Sequence, residues 1–227
     1  MSAGVPLAVD VAGRRVVAVG AGPVAAAKTA PLLDAGAALT VVAPDAVGEI
    51  REAAGARRLV WHARAYAPGD LAGAFLVVAA TAEGAVNARV AADAAAQATF
   101  CVRTDRPAPD ADAASDDAHG TAALLGTVRH GDFMVAVSTG GRVPAVARHV
   151  RADLSARYGP EYGALVELLA DLRAAPDVRR RLEHLDGGAR RAAWRSLPMA
   201  DILKALRNGD DPSARELALA CLCSSSD

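Results

Sequence analysis

Lysine is almost missing from this chain, confined to Lys28 and Lys204, so Schiff-base chemistry and a Y-x-x-x-K pair have almost nothing to draw on. Aromatic residues make up only 4% of the 227 positions. None are interleaved with a basic block, the combination that tracks a nucleic-acid backbone, and a formal net charge of -1 supplies no global field for one. Nucleic acid is therefore not an expected partner. The three cysteines, Cys101, Cys221 and Cys223, are too few for a disulfide framework and lack paired zinc-ligand spacing, which fits a reducing cytoplasm. No apolar run reaches the roughly 18 residues of a membrane span, and the amino terminus has no basic-then-apolar leader pattern. The expectation is a cytoplasmic protein without a membrane partner. A P-loop, an H-E-x-x-H helix and a G-x-S-x-G elbow are all missing. His62, His119, His130, His149 and His184 are scattered without ligand spacing, so no metal site is expected.

What the chain does have is short valine-rich runs alternating with helical stretches. Residues 16–20, 39–43, 58–62, 75–80 and 99–103 read as strands, and their near-continuous apolarity implies burial on both faces. Residues 24–35 and 83–98 between them have helical patterning, with shorter helical pieces at 45–54 and 68–73. Alternating βα units predict an α/β fold with a Rossmann-like, doubly wound parallel sheet. Residues 105–120 are rich in Asp, Ala and Pro and read as a surface loop. A further strand at 133–137 runs into a glycine turn, and a helix follows over 145–158, with Pro144 suited to its first turn. From 161 onward only helical segments remain, so the carboxyl-terminal part is a helical region.

Gly20-Ala21-Gly22-Pro23-Val24-Ala25 carries the strongest motif, a G-x-G-x-x-A directly after a strand and at the opening of a helix. Gly20 permits the sharp turn, Gly22 lets backbone approach a pyrophosphate, and Ala25 allows close helix–strand packing. About 20 residues further on, where an acid reads the ribose, the second strand ends in Pro44-Asp45. Asp45 is equally suited to capping the next helix. No arginine follows before Arg51, which favours NAD over NADP. Asp105 lies just past the fifth strand, at the sheet edge where such folds bind ligands, and a carboxylate there can accept a proton as hydride leaves; before Arg106-Pro107 it also suits a turn. Ser138, Thr139, Gly140, Gly141 and Arg142 combine hydroxyls, pliable backbone and a cation at a helix start, which suits gripping a carboxylate or phosphate or simply capping the helix. Arg129, Arg142, Arg148, Arg151 and Arg157 make this region locally basic against Asp132 and Asp153, a field that attracts an acidic small molecule.

Taken together, these stretches resemble the siroheme synthase amino-terminal module, the precorrin-2 dehydrogenase family that also includes sirohydrochlorin ferrochelatases. The resemblance rests on the fingerprint at 16–28, Ala37-Ala38-Leu39-Thr40-Val41-Val42-Ala43-Pro44, Ala79-Ala80-Thr81 followed by Val86-Asn87, Phe100-Cys101 through Asp105, and Met134-Val135-Ala136-Val137-Ser138-Thr139-Gly140-Gly141. It spans about residues 7–158 and continues more weakly into the helical remainder. The resemblance implies oxidation of precorrin-2 to sirohydrochlorin with NAD as hydride acceptor, and, as in many members, insertion of ferrous iron to give siroheme. By position, Pro23, Val24, Pro44 and Asp45 match the family's cofactor contacts, and Thr81 lies in the matching strand-end turn. Asp105 matches its catalytic aspartate, and Ser138 and Thr139 match a hydroxyl pair near its tetrapyrrole pocket. The resemblance also implies a homodimer, with precorrin-2 and sirohydrochlorin as the tetrapyrrole partners. One departure is the longer, Asp-rich stretch between Asp105 and Met134, without the Phe and Pro usual before the next strand.

The expected organisation is an NAD-binding Rossmann-like domain over 1–112, a dimerisation and substrate-pocket segment over 113–158, and a helical domain over 159–227. A competing expectation is a non-catalytic NAD-sensing module, in which nucleotide occupancy alters the helical region and its partner instead of driving chemistry.

Overall fold

Residues 4–105, 120–141 and 143–224 are described by a computed structural model. The chain forms two compact units, Met1–Leu124 with Gly140–Arg142, and Leu125–Thr139 with Val143–Asp227. The expected acidic loop, over its residues 106–119, and Arg142 lie outside the described residues.

The first unit is a five-stranded sheet in the order β3-β2-β1-β4-β5, with every pairing parallel. Its strands are β1 (Arg15–Val19), β2 (Ala38–Val42), β3 (Val60–His62), β4 (Leu76–Ala79) and β5 (Phe100–Arg103). The period of two along each strand divides the side chains between two cores. Val16 and Ala18 of β1 and Leu76 and Val78 of β4 join one, against Ala25 and Leu32 of α1 (Pro23–Asp34) and Ile50 of α2 (Gly48–Gly55). Val17, Val19, Val77 and Ala79 join the other, against Val90, Ala91 and Ala94 of α3 (Gly84–Ala96) and Leu71 of a short 3-10 turn. Each buried valine contributes about 1.5–3 kcal/mol, so sheet burial on both faces is the main support of this unit. The edge strand β3 departs from the pattern, and Val60 is exposed.

This strand order reverses direction between β1 and β4. It is the topological switch point at whose carboxyl edge doubly wound sheets bind ligands. The segments leaving β1, β2, β4 and β5 there carry Gly20, Asp45, Thr81 and Asp105.

The second unit begins with a hairpin. The strand expected at 133–137 is β7 (Phe133–Val137), and it pairs antiparallel with β6 (Gly126–His130), which the sequence reading did not anticipate. Thr127, Arg129 and His130 dilute the apolar content of β6, but Gly131-Asp132 between two short runs is a two-residue hairpin signal. Gly131 has φ +57, the value a II′ turn requires at its first central position. The helices α4 (Pro144–Arg157) and α5 (Glu161–Ala174) both pack on this hairpin. Gly163 of α5 lies so close that a Cβ there would stand 2.6 Å from the His130 carbonyl oxygen. Phe133, Tyr158 and Tyr162 form a ring cluster beside this contact, with centroids 5.0–5.7 Å apart. Four further helices, α6 (Pro176–Leu182), α7 (Gly187–Arg195), α8 (Met199–Arg207) and α9 (Asp211–Ser224), close around Leu172, Ile202, Ala214 and Ala218.

Candidate functional site

The turn after β1 is built as its glycines require. Gly20 adopts φ +103, and a Cβ at this position would lie 2.4 Å from the Ala80 carbonyl oxygen, so β1 and β4 meet here backbone to backbone. Gly22 differs: it is the N-cap of α1 at φ -81, ψ -177, and a Cβ on it would meet nothing within 4 Å. No side chain caps α1, and Pro23 occupies its first turn. The helix therefore presents first-turn amides and the positive end of its dipole to open space, the arrangement that takes a phosphate. Pro23 and Val24 are exposed beside it, while Ala25 is buried against the sheet. These residues fit a pyridine nucleotide: the Gly22 cradle is space that any side chain would fill.

Pro44 and Asp45 stand exposed at the end of β2. Their loop is tied to the glycine turn, because the Val47 amide donates to the Ala21 carbonyl at 2.9 Å. Val47 and not Asp45 is the N-cap of α2, which removes the capping role. Asp45 Oδ1 instead accepts from the Ala46 amide at 2.9 Å and forms an ion pair with Arg51. The cation that sequence distance kept away from Asp45 is thus returned to it by the first turn of α2.

Thr81 sits in the turn leaving β4 and is locked by Asn87, a fully buried side chain of α3. Asn87 Oδ1 accepts from the Thr81 amide at 3.0 Å, and Asn87 Nδ2 donates to the Thr81 carbonyl at 3.0 Å. The Thr81 hydroxyl accepts from the Glu83 amide at 3.2 Å and lies 2.8 Å from Asn87 Oδ1 and 3.0 Å from the Glu83 carbonyl, serving one of these two acceptors at a time. Asn87 also favours the charged form of Asp105, coupling the two strand-end turns. Asn87 was absent from the sequence-based site; its signal is an amide at a buried phase of α3, three, four and seven residues before Val90, Ala91 and Ala94.

Asp105 is held from three directions. Arg103 donates from Nε to Oδ1 at 3.1 Å and from Nη2 to Oδ2 at 3.0 Å, a two-pronged ion pair whose side chains are 12% and 21% exposed. Asn87 is the second partner, and the first turn of α3 is the third, since a Cβ on Gly84 would lie 3.5 Å from Asp105 Oδ2. Burial pushes the carboxyl upward, but the hydrogen bonds from Arg103 and Asn87 and the Arg103 charge outweigh it and hold Asp105 below the ordinary carboxylate range. The group is an ionised carboxylate at neutral pH. Cys101, four residues before Asp105 and buried in β5, is pushed by desolvation to about 11 and is not a thiolate nucleophile.

In the second unit, Ser138 is exposed and Thr139 half-buried. Val143 is the N-cap of α4, with no side-chain cap, so neither hydroxyl caps the helix. Pro144 fixes the start of α4, and Gly140 and Gly141, at φ +64 and +76, separate the hydroxyls from it. Thr139 donates instead to the Val143 carbonyl at 3.2 Å. Within this unit a cavity of about 390 Å³ between β6 and α4 is lined by Arg129, His130, Arg148 and Arg151. Among the described residues no group of three or more His, Cys, Asp or Glu is placed to hold a metal ion, and no helix is long and apolar enough to cross a membrane.

Comparison with known proteins gives a consistent set of likenesses. A family model described as "Putative NAD(P)-binding" matches residues 7–111. "Siroheme synthase 3" of Aeromonas hydrophila subsp. hydrophila is 37% identical over 204 residues, covering 89% of this chain and 41% of that protein. "Siroheme synthase" of Chromobacterium violaceum is 36% identical over 210 residues, 92% of this chain and 42% of that protein. The chain therefore spans about two fifths of the length of these curated relatives. Among solved structures, "SirC, precorrin-2 dehydrogenase" superposes with a TM-score of 0.70 at 23% identity, over 96% of this chain and 98% of that one, a likeness of fold.

Proposed function

We propose, from its likeness to siroheme synthases over most of its own length and to a precorrin-2 dehydrogenase in fold, that the chain is an NAD-dependent precorrin-2 dehydrogenase, forming sirohydrochlorin in siroheme biosynthesis. The observation that carries the reading is the carboxyl edge of the parallel sheet, where an open phosphate cradle at Gly22 and an ionised carboxylate at Asp105 lie on the same edge of one rigid sheet. When bound, the nicotinamide supplies a hydride acceptor. Gly20, Gly22, Pro23 and Val24 seat the pyrophosphate, Pro44 and Asp45 flank the ribose, and Thr81 shapes the far wall. The reaction releases one hydride and one proton from precorrin-2, giving sirohydrochlorin, NADH and a proton. Asp105 accepts that proton, while Arg103 and Asn87 fix the carboxylate rotamer and keep it ionised.

Ser138, Thr139, Gly140, Gly141 and Arg142 are the substrate-binding residues of this proposal, and the arginines lining the cavity beside α4 carry a charge that attracts a polycarboxylate. Ferrous iron insertion into sirohydrochlorin enters as a second activity, with iron as substrate and the pyrrole protons taken by the same carboxylate. Incubating the folded protein with precorrin-2 and NAD is expected to give NADH and sirohydrochlorin in equal amounts. Tight nucleotide binding without turnover would favour the sensing module instead.

A homodimer is part of the same proposal. α4 is a 14-residue helix with no buried residue; Val146 on it, Val143 at its N-cap and Met134 of β7 are exposed, although a two-stranded hairpin is marginal without further cover. Sedimentation equilibrium is expected to return twice the chain mass of 23.1 kDa; a monomer at micromolar concentration would count against it.

A further inference from the structure

The loop after β2 contains an arrangement that the fold alone does not require. Arg51 is positioned by contacts that do not involve Asp45. Its Nε donates to the Ala46 carbonyl at 2.7 Å, and its guanidinium lies 5.8 Å from the centroid of the Trp61 ring. Trp61 is itself fixed, donating from Nε1 to the Ala43 carbonyl at 3.0 Å. The cation is therefore parked at the end of β2 by one backbone carbonyl and by an indole face that a second carbonyl fixes. Its remaining Nη2 edge meets Asp45.

Position gives this pair its meaning. The carboxyl end of the second strand of such a sheet is where the adenosine ribose is read: an acid there accepts from the 2′-hydroxyl of NAD, and an arginine there accommodates the 2′-phosphate of NADP. This chain has both groups in contact. Both contacts made by Asp45 use Oδ1, from the Ala46 amide and from Arg51. Oδ2 takes part in neither.

We propose that Asp45 sets the preference for NAD over NADP by neutralising Arg51, a 2′-phosphate anchor that is already in place. Asp45 Oδ2 accepts from the ribose hydroxyl, and Oδ1 withholds the guanidinium from any phosphate. A 2′-phosphate entering the wild-type site faces the Asp45 charge and finds its counter-charge engaged. Removing that charge leaves Arg51 where Ala46 and Trp61 hold it, with its Nη edge free to fork onto a phosphate. The pair is exposed, 54% for the arginine and 84% for the aspartate side chain, so breaking it leaves fold stability nearly unchanged. The proposal rests on the nucleotide reading above.

Calorimetric titration of the full chain with NAD and with NADP tests it, using wild type, Asp45→Asn, and Asp45→Asn combined with Arg51→Ala. Asparagine keeps an oxygen for the Ala46 amide. Wild type is expected to prefer NAD, and Asp45→Asn to move the NAD/NADP affinity ratio toward NADP by about 10- to 100-fold, the worth of one charge-assisted contact. The added Arg51→Ala change is expected to remove the gain. An unchanged ratio in Asp45→Asn, a gain that survives loss of Arg51, or a wild type indifferent to the 2′-phosphate overturns the proposal. Wild type that binds neither nucleotide overturns the nucleotide reading itself, and this proposal falls with it; that result is distinct from binding without discrimination.

Discussion

Asp105→Asn is expected to lower precorrin-2 oxidation by about 100- to 10,000-fold, the usual contribution of a positioned proton acceptor, while leaving NAD affinity nearly unchanged. The amide keeps the shape of the side chain and removes its basicity. Initial rates of NADH formation measure the first effect, and calorimetric titration with NAD the second. A variant that oxidises precorrin-2 within a few-fold of wild type would remove Asp105 from the chemistry. The acid limb of the rate profile offers an independent check. In the proposed reaction the carboxylate is the working form; desolvation pushes Asp105 up, but hydrogen bonds from Arg103 and Asn87, with the Arg103 charge, outweigh it and hold the group below its usual value of 3.8. kcat/KM is therefore expected to stay flat through neutral pH and to fall only as pH drops through the depressed value. Arg103→Ala removes the leading downward influence and leaves desolvation in place, so the limb should move to higher pH. The same sign governs stability. A carboxyl depressed in the folded state contributes fully above its unfolded value, and that contribution is lost as pH falls through the folded one.

Much of this site is local in the chain, and that part was legible in the sequence. Gly20 and Gly22 are recognisable because a valine-rich run precedes them and a small-residue helix follows, and the turn that results has the geometry their spacing demands. The parallel sheet was legible for a related reason: strands buried on both faces read as continuous apolar runs, as β1 and β4 do. What escaped depends on contacts across sequence distance or on weak patterning. β6 was missed because its Thr, Arg and His obscure the alternation, although the Gly131-Asp132 turn announces it. Arg51 was dismissed as too distant from Asp45, yet one turn of α2 and the Trp61 face bring it back. Arg103 could have been connected to Asp105 from spacing alone, since residues two apart at a strand end share a side. Asn87 was hidden in a helix read for its apolar stripe, where a buried amide has to satisfy a turn elsewhere.

The two glycines of the fingerprint have separate parts in this proposal, Gly20 chiefly in the fold and Gly22 in the approach to the nucleotide, and Gly20→Ala against Gly22→Ala makes that separation measurable. At Gly20 a methyl group has no room. Its backbone at φ +103 is a region that L residues rarely occupy, which costs about 1–3 kcal/mol. The new Cβ would also stand 2.4 Å from the Ala80 carbonyl oxygen and 2.9 Å from the Thr81 amide nitrogen. Those atoms belong to the backbone leaving β4 and cannot rotate aside, so β1 and β4 must separate. The expected loss is on the order of 4 kcal/mol, among the largest that single substitutions produce and a large share of a typical domain's stability. Denaturant unfolding should show it as a lowered midpoint. Gly22→Ala places its methyl in open space, at backbone angles open to any residue, and should shift stability by no more than about 1 kcal/mol. In the proposed binding mode that open space is the cradle. The methyl should lower NAD affinity by about 10- to 100-fold, through lost close approach of the α1 amides to the pyrophosphate. Wild-type stability in Gly20→Ala would contradict the close passage of β1 and β4, and undiminished NAD binding by a folded Gly22→Ala would place the phosphates elsewhere.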